Sequence, residues 1–252
     1  MEIRAEEILE DMKCILQEVG TLLREGFTDQ NKDLHTKKNA NDFVTKYDTK
    51  ANQLILDFLM KKYPSFGFLS EELPEINSKE DFYFIIDPID GTINFAHSIP
   101  IFCTGVALAK GDEVFLCATY AVMQNELFWA IKDKGAFCNG RQIHVADKGT
   151  GGRIQTRERE PQLSSFPSLV NAGFVLGNFN SLHYELAMVA SGRCDATLTA
   201  DAPWDLCQCL LVLEAGGKIT DHKGDSFTLA KTDLLTGSPN VHTRILSVLK
   251  KK

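Results

Sequence analysis

The sequence predicts a layered α/β sandwich. Amphipathic helical periods alternate with short apolar runs of strand length, and Asn139-Gly140 marks a tight hairpin within a series of such runs. With 252 residues, of which 44% are hydrophobic, the chain is long enough for one large core or two closely packed lobes. We therefore expect a single domain over 1–252, with sublobes of about 1–147 and 148–252.

The helices are predicted from apolar side chains at helical spacing. Residues 3–23 carry such a pattern, and a second amphipathic helix covers 48–62 and ends before Pro64. Three further helical segments lie in the second half of the chain, at 183–191, 204–215 and 241–250. The two glycines at 216–217 follow the second of these and end it.

The strands are predicted from apolar runs that stop at acidic or turn-forming residues. Residues 66–69 and 82–86 are two such runs, and the runs between 101 and 145 are separated by turns, which indicates an antiparallel meander. The polar stretch 29–43 contains too few apolar residues to pack, so we expect an exposed, mobile loop. Residues 147–168 are expected to connect the two lobes.

Composition excludes several classes of protein. The net charge of −7 argues against a nucleic-acid partner, because nucleic-acid binders carry basic surfaces. No apolar run reaches the roughly 18–20 residues that span a bilayer, and the acidic N-terminal segment does not resemble a signal peptide. The seven cysteines are odd in number and scattered, so we expect free thiols in a reducing compartment. We therefore expect a cytoplasmic protein without a membrane partner.

An acidic motif at 87–92, with the sequence Asp-Pro-Ile-Asp-Gly-Thr, follows the strand predicted at 82–86. Open α/β sheets place their ligand sites at such strand ends, and the Pro and Gly allow a tight turn that brings both carboxylates together. Paired carboxylates favour a hard cation such as Mg²⁺. Considered alone, the motif is equally compatible with a solvated acidic turn.

Two more acidic positions make a shared site the better hypothesis. Glu71 and Glu72 end an apolar run as Asp87 does, and Asp205 opens the apolar helix predicted at 204–215. Separately, Glu71 is typical of a solvated loop acid and Asp205 of a helix cap. Their joint occurrence in a sheet-based chain favours one metal site.

The chain resembles the inositol monophosphatase family, the magnesium-dependent and lithium-sensitive phosphomonoesterases. The similarity extends in order over nearly the whole chain. The matching segments are Ser-Glu-Glu at 70–72, DPIDGTINF at 87–95, Pro-Trp-Asp at 203–205, EAGG at 214–217, DFVTKYD at 42–48, GAFCNG at 135–140 and VASGR at 189–193. The resemblance implies an α-β-α-β-α sandwich, shared with fructose-1,6-bisphosphatase, and a homodimer.

The resemblance also implies a metal and phosphate site with two or three Mg²⁺ per subunit. Glu71, Asp87 and the Ile89 carbonyl would hold one Mg²⁺, and Asp87, Asp90 and Asp205 a second. Gly91 and Thr92 amides would bind phosphate, while Glu71, Thr92 and Asp48 would be catalytic, with Thr92 orienting the water and Asp48 hydrogen-bonded to Thr92. Lys37, Lys38 and Asp42 would help bind a third, weaker Mg²⁺ or the phosphate.

The substrate half departs from the family pattern. Asn180, Ser181, Thr199 and Asp205 occupy the substrate-binding positions, but Leu182 stands where a small residue is usual. Thr199 stands where the family has a Glu, in a segment one residue shorter, and Asp201 is an alternative replacement for that Glu. Loss of this carboxylate weakens recognition of sugar hydroxyls.

The resulting expectation is hydrolysis of a small phosphorylated metabolite by a metal-activated water. Inositol monophosphate is the leading substrate, and fructose 1,6-bisphosphate, another sugar phosphate or a nucleotide phosphate is the alternative. A non-catalytic scaffold for protein or RNA partners is a second alternative, since some family members act that way. The complete set of acidic ligand positions favours catalysis. Among the histidines, which lack ligand spacing, His97 is the one nearest the motif.

Overall fold

The computed structural model describes residues 4–36, 43–76, 80–146, 152–156 and 163–250. The helices in these ranges are α1 Ala5–Phe27, α2 Lys46–Lys62, α3 Thr92–Ala96, α4 Phe166–Asn171, α5 Leu182–Ala190, α6 Pro203–Leu206, α7 Leu210–Glu214 and α8 Pro239–Leu249. The strands are β1 His35–Thr36, β2 Phe43–Val44, β3 Gly67–Ser70, β4 Phe82–Asp90, β5 Cys103–Lys110, β6 Glu113–Ala121, β7 Glu126–Ile131, β8 Gly135–Cys138, β9 Arg141–Ile143, β10 Gly152–Thr156, β11 Phe174–Gly177, β12 Ala196–Ala200, β13 Lys218–Thr220 and β14 Asp233–Gly237.

Three apolar clusters arrange these elements in five layers. The first cluster joins α1 and α2 to one face of a seven-stranded sheet, and the second joins its other face to α5 and α7. The third cluster joins a five-stranded sheet to α4 and α8. Leu234 of β14 belongs to the second cluster, so α5 and α7 lie between the two sheets. The predicted layered α/β sandwich is thus confirmed.

The seven-stranded sheet has the order β3-β4-β5-β6-β7-β8-β9. All neighbours are antiparallel except β3 and β4, which run parallel, so the predicted meander is confirmed. The register between β4 and β5 shifts between Asp87 and Asp90, as in a β-bulge. Bulges bend a strand and redirect its side chains, and this one lies within the acidic motif.

The five-stranded sheet has the order β11-β10-β12-β14-β13, and its first three strands are parallel. The prediction that 147–168 only connects the lobes is wrong in part, because β10 and the start of α4 lie within it. The side chains of Gln155 and Thr156 in β10 are polar and yet buried. A strand that buries polar groups lacks the apolar alternation by which strands are predicted.

The segments before α2 and after α5 also differ from simple expectation. Within the polar stretch 29–43, Lys32 is only 8% exposed and donates to the Asp29 carbonyl at 3.0 Å and to Ser98 Oγ at 3.0 Å. Residues 37–42, including Lys37, Lys38 and Asp42, lie outside the described ranges.

The helix predicted over 204–215 is divided into α6, a 3₁₀ turn at Cys207–Cys209, and α7.

The described ranges hold no helix long and apolar enough to cross a membrane. The seven cysteines are free, and all but Cys14 are buried.

Helix α1 contributes a continuous apolar face to the first cluster, and this face allows a direct test. Leu16 is fully buried, so Leu16→Ala should lower the free energy of unfolding by about 2–5 kcal/mol through lost contacts and a cavity. The matched control is exposed Gln17→Ala, with an expected change within about 0.5 kcal/mol. Urea unfolding followed by circular dichroism measures both, and an equal effect of the two changes would contradict the placement of α1.

Candidate metal and phosphate site

The end of β4 carries two buried carboxylates. Asp87 and Asp90 lie on either side of the register shift, and both side chains are almost completely buried. Gly91 then adopts φ +92°, a backbone conformation that side-chain-bearing residues rarely adopt, and caps α3. A Cβ at Gly91 would also lie 3.1 Å from the Asn180 carbonyl oxygen, so this glycine permits a close approach of two loops.

Three carboxylates meet at this point. Asp87, Asp90 and Asp205 each offer an oxygen, and the three oxygens lie within 4.8 Å of one another. Asp205 comes from the first turn of α6, where its carboxylate also accepts from the Ala202 amide at 3.3 Å. The residues expected to share the second Mg²⁺ are therefore adjacent, although Asp205 is more than 100 positions from the other two.

The pKa of Asp87 is raised well above its usual range. Burial is the largest cause, and the neighbouring charges of Glu71, Asp90, Asp205 and Asp48 add to it. Asp87 Oδ1 is buried and has no hydrogen-bond partner among the described residues. A buried carboxylate oxygen with neither a donor nor a cation is costly. The donor set, which is all oxygen and strongly anionic, fits a hard divalent cation such as Mg²⁺.

Glu71 and Glu72 follow β3, the strand next to β4. The Glu71 amide donates to the Ile86 carbonyl at 3.3 Å, which holds this turn against the β4 end. The charge of Glu71 raises the pKa of both Asp87 and Asp48, whereas the charge of Glu72 raises that of Asp48. Both glutamates therefore contribute to the same anionic region.

Thr92 and Asp48 form the second part of the site. Thr92 Oγ1 lies 3.1 Å from Asp48 Oδ1 and 2.9 Å from the Ile89 carbonyl oxygen. Asp48 also closes a capping box at the start of α2, where its Oδ2 accepts from the Thr45 amide at 2.7 Å and the Thr45 hydroxyl at 2.6 Å. Burial outweighs these hydrogen bonds and raises the pKa of Asp48 to about 7.

The beginning of α5 binds the Asp90 carboxylate. Asp90 accepts from the Leu182 amide at 2.8 Å, from the His183 amide at 2.9 Å, and from the Ser181 hydroxyl. Helix N-termini stabilise a negative charge in this way. Ser181 is fully buried and therefore contacts Asp90 rather than open solvent, whereas Asn180 is exposed.

His183 is a residue of the site that sequence reasoning missed. Its imidazole is fully buried, with Nε2 2.9 Å from the Trp204 carbonyl oxygen and 3.9 Å from Asp87 Oδ2. Burial lowers its pKa, so the ring is held neutral. A single histidine at the start of an apolar helix has no ligand spacing, and the sequence directed attention to His97 instead. His97 is the C-cap of α3.

Thr199 and Asp201 lie at the end of β12. Thr199 is fully buried, and its hydroxyl donates to Asp201 Oδ2. The Asp201 amide donates to the Thr232 carbonyl at 2.8 Å, which anchors this segment to the residue before β14. Of the two candidates for the family's Glu position, Asp201 is therefore the partly exposed one, and Thr199 orients it.

Comparison with known proteins gives consistent matches. The model of the inositol monophosphatase family matches residues 5–252. An inositol-1-monophosphatase of Bacillus subtilis is 32% identical, over 95% of each chain. A protein of Aquifex aeolicus described as fructose-1,6-bisphosphatase/inositol-1-monophosphatase is 29% identical, over 92% of this chain and 91% of its own. Nus factor SuhB of Escherichia coli is 28% identical, over 93% and 92%.

Solved structures agree with these matches. The extragenic suppressor protein suhB of Bartonella henselae superimposes with a TM-score of 0.90 and 30% identity, covering 97% of this chain and 99% of its own. The family match over nearly the whole chain, together with the convergence of Asp87, Asp90 and Asp205, leads to one conclusion: the chain belongs to the inositol monophosphatase family and is a phosphoric monoester hydrolase.

Proposed function

We propose that the protein hydrolyses a small, soluble phosphate monoester in a Mg²⁺-dependent reaction, with inositol monophosphate as the first candidate substrate. The observation that carries the proposal is the convergence of three carboxylates, two of them buried and one of these with an unpartnered oxygen, beside the Thr92–Asp48 pair. Such a site is costly without a cation and ready to accept a phosphate dianion with one.

The proposed ligand assignment is the one that the family resemblance implies. Glu71, Asp87 and the Ile89 carbonyl would hold one Mg²⁺, and Asp87, Asp90 and Asp205 would hold the next, with two or three ions per subunit in all. When bound, Mg²⁺ lowers the pKa of water and offsets negative charge on the phosphate and on the leaving oxygen.

The chain's own groups then position the water and the phosphate. The Thr92 hydroxyl has one hydrogen, which it donates to Asp48 or to the Ile89 carbonyl, so its lone pairs remain available to accept from a water. Glu71 would be the carboxylate that accepts the proton from this water. The amides of Gly91 and Thr92, at the start of α3, would bind the phosphate oxygens.

The alcohol half of the substrate would be bound by the second sublobe. Asp201, oriented by Thr199, takes the place of the family's Glu and accepts hydrogen bonds from substrate hydroxyls. Asn180 and Asp205 would contact the same part of the substrate, and Ser181 would act indirectly by holding Asp90. A shorter segment with a different acid is compatible with a substrate other than inositol monophosphate.

Fructose 1,6-bisphosphate is the leading alternative, because the Aquifex aeolicus relative is described with both activities. A phosphate-release screen should therefore compare inositol phosphates, fructose 1,6-bisphosphate, nucleotide phosphates and nicotinamide phosphates. Each is assayed with and without Mg²⁺, and with added Li⁺, since lithium sensitivity is part of the proposal. We also propose that the protein is cytoplasmic and forms a homodimer. Sedimentation of the purified protein tests the oligomeric state.

A non-catalytic role is the second candidate function. The observation in its favour is the similarity to Nus factor SuhB of Escherichia coli. Complete absence of phosphate release across the screen, from a folded protein that binds Mg²⁺, would favour this candidate. The net charge of −7 argues against direct, general binding of nucleic acid.

The first prediction concerns activity. Asp90→Asn should reduce phosphate release by more than about 100-fold, which exceeds the usual effect of residues that only support metal ligands. The matched control is Asp112→Asn, an exposed loop acid, which should retain full activity. Circular dichroism verifies folding. Full activity of a folded Asp90→Asn variant in Mg²⁺ would contradict the proposed function.

The second prediction concerns stability without metal. Asp87→Asn removes a carboxyl whose ionisation burial and neighbouring charges oppose, so in EDTA at pH 7.5 the variant should melt at a higher temperature than the natural protein. Added Mg²⁺ should raise the melting temperature of the natural protein and not that of the variant.

The direction in which the stability gain of Asp87→Asn changes with pH follows from the raised pKa of Asp87. The carboxyl of Asp87 has a raised pKa in the folded protein, so it lowers the stability of the fold increasingly as pH rises from the unfolded pKa of about 4 toward the folded pKa. The advantage of Asp87→Asn in EDTA should therefore be largest at high pH and disappear near pH 4. A variant less stable than the natural protein at every pH would contradict the electrostatic account.

The third prediction concerns substrate recognition. Asp201→Ala should raise KM for the preferred polyol phosphate by about tenfold or more, the effect of one lost hydrogen bond to a charged group. The KM for p-nitrophenyl phosphate, which lacks hydroxyl groups on its ring, should not change. Thr199→Val, which removes the hydroxyl that orients Asp201, should give a smaller increase. Equal effects on both substrates would exclude a role in reading the alcohol.

A further inference from the structure

The candidate ligands of the second Mg²⁺ come from two separate parts of the chain. Asp87 and Asp90 belong to β4, and Asp205 belongs to α6. Like charges at this distance repel one another, and burial strengthens the repulsion because little water screens it. Something in the protein must therefore hold α6 against the end of β4.

His183 makes contact with both parts. Its main-chain amide donates to Asp90 Oδ2 at 2.9 Å, and its imidazole Nε2 lies 2.9 Å from the carbonyl oxygen of Trp204, the residue before Asp205. A carbonyl oxygen only accepts, so Nε2 carries the hydrogen and donates it. The same Nε2 is 3.9 Å from Asp87 Oδ2, too far for a hydrogen bond.

The imidazole is fixed in place by the strands behind it. A Cβ at Gly105 of β5 would lie 2.4 Å from His183 Nδ1, so the absence of a side chain there makes room for the ring. The Thr119 hydroxyl of β6 lies 3.5 Å from Nδ1. Because the ring is fully buried against these groups, the Trp204 carbonyl has a partner of fixed position rather than a mobile one.

We propose that His183 is a positioning residue, which sets the distance of Asp205 from Asp90 and thereby the affinity of the site for Mg²⁺. The inference rests on the proposed function, because it assigns these carboxylates to a metal. His183 itself coordinates nothing in this scheme. Its main-chain amide holds the Asp90 carboxylate. Its imidazole holds the main chain of the α6 turn, at the Trp204 carbonyl.

Two substitutions distinguish the proposed hydrogen-bonding role of the His183 imidazole from a role in which the side chain only fills space. His183→Leu fills similar space without a donor, whereas His183→Gln retains an N–H group at the end of a side chain of similar reach. Isothermal titration with Mg²⁺ measures affinity directly and does not depend on activity. We expect His183→Leu to lose about 10- to 100-fold in Mg²⁺ affinity, the usual effect of losing a group that supports metal ligands, and His183→Gln to recover most of it.

A substitution at Gly105 tests the same imidazole through its Nδ1 edge. Gly105→Ala should displace the ring and weaken Mg²⁺ binding in the natural background, but should have a smaller further effect in a His183→Ala background, where the clash with the ring is removed and a 3.1 Å contact with Gln208 Nε2 remains. The control is His242→Leu, which removes another buried histidine, hydrogen-bonded to Thr220 of the distant β13. This control should lower stability and leave Mg²⁺ affinity unchanged.

The outcomes distinguish this inference from the proposed function. If the natural protein binds no Mg²⁺, both are overturned. If it binds Mg²⁺, and folded His183→Leu and Gly105→Ala bind with unchanged affinity, only the positioning role is overturned. If His183→Leu does not fold, the comparison of His183→Gln, Gly105→Ala and the His242→Leu control decides. Loss of affinity in Gly105→Ala without loss in the control supports the role.

Discussion

The mutual repulsion of buried carboxylates is the constraint on which much of this structure depends. Asp87, Asp90 and Asp205 bring oxygens within 4.8 Å of one another, and the charges of Glu71 and Asp48 also act on Asp87. A folded chain can keep these repelling carboxylates together only if the surrounding structure fixes their positions. The register shift in β4 lies between Asp87 and Asp90, the amides at the start of α5 bind Asp90, and the capping box of α2 holds Asp48.

The part of the site that could be predicted from sequence is the part made by local chemistry. The Asp-Pro-Ile-Asp-Gly-Thr motif contains both of its carboxylates, the turn that joins them and the hydroxyl beside them, so its geometry follows from adjacent residues. The predicted helices at 48–62 and 183–191 also correspond closely to α2, which buries one apolar face, and to α5, which is buried on nearly all sides. These features need no information about distant contacts.

What could not be predicted depends on tertiary contacts between polar groups. β10 buries Gln155 and Thr156, so its hydrophobic pattern does not distinguish a strand from a connection. His183 interacts with Asp90 and Trp204 only because α5 and α6 begin at the same point. Ser181 was expected at the substrate, and its hydroxyl donates to Asp90. Polar side chains have many possible partners, so sequence alone specifies their burial poorly.

The proposed metal-binding residues and the proposed substrate-binding residues differ in how strongly a substitution would affect their neighbours. In the metal half, Asp90 and Asp205 accept hydrogen bonds from main-chain amides, and the charges of the neighbouring acids act on Asp87, so a substitution there also alters the balance of charge for the others. Elsewhere, buried Thr199 donates to partly exposed Asp201, and the Asp201 amide donates to the Thr232 carbonyl. Under the proposed function this pair reads the alcohol, and it is anchored to the residue before β14 rather than to the end of β4. The departure from the family pattern therefore falls in a different element of the fold from the proposed metal ligands Asp87, Asp90 and Asp205.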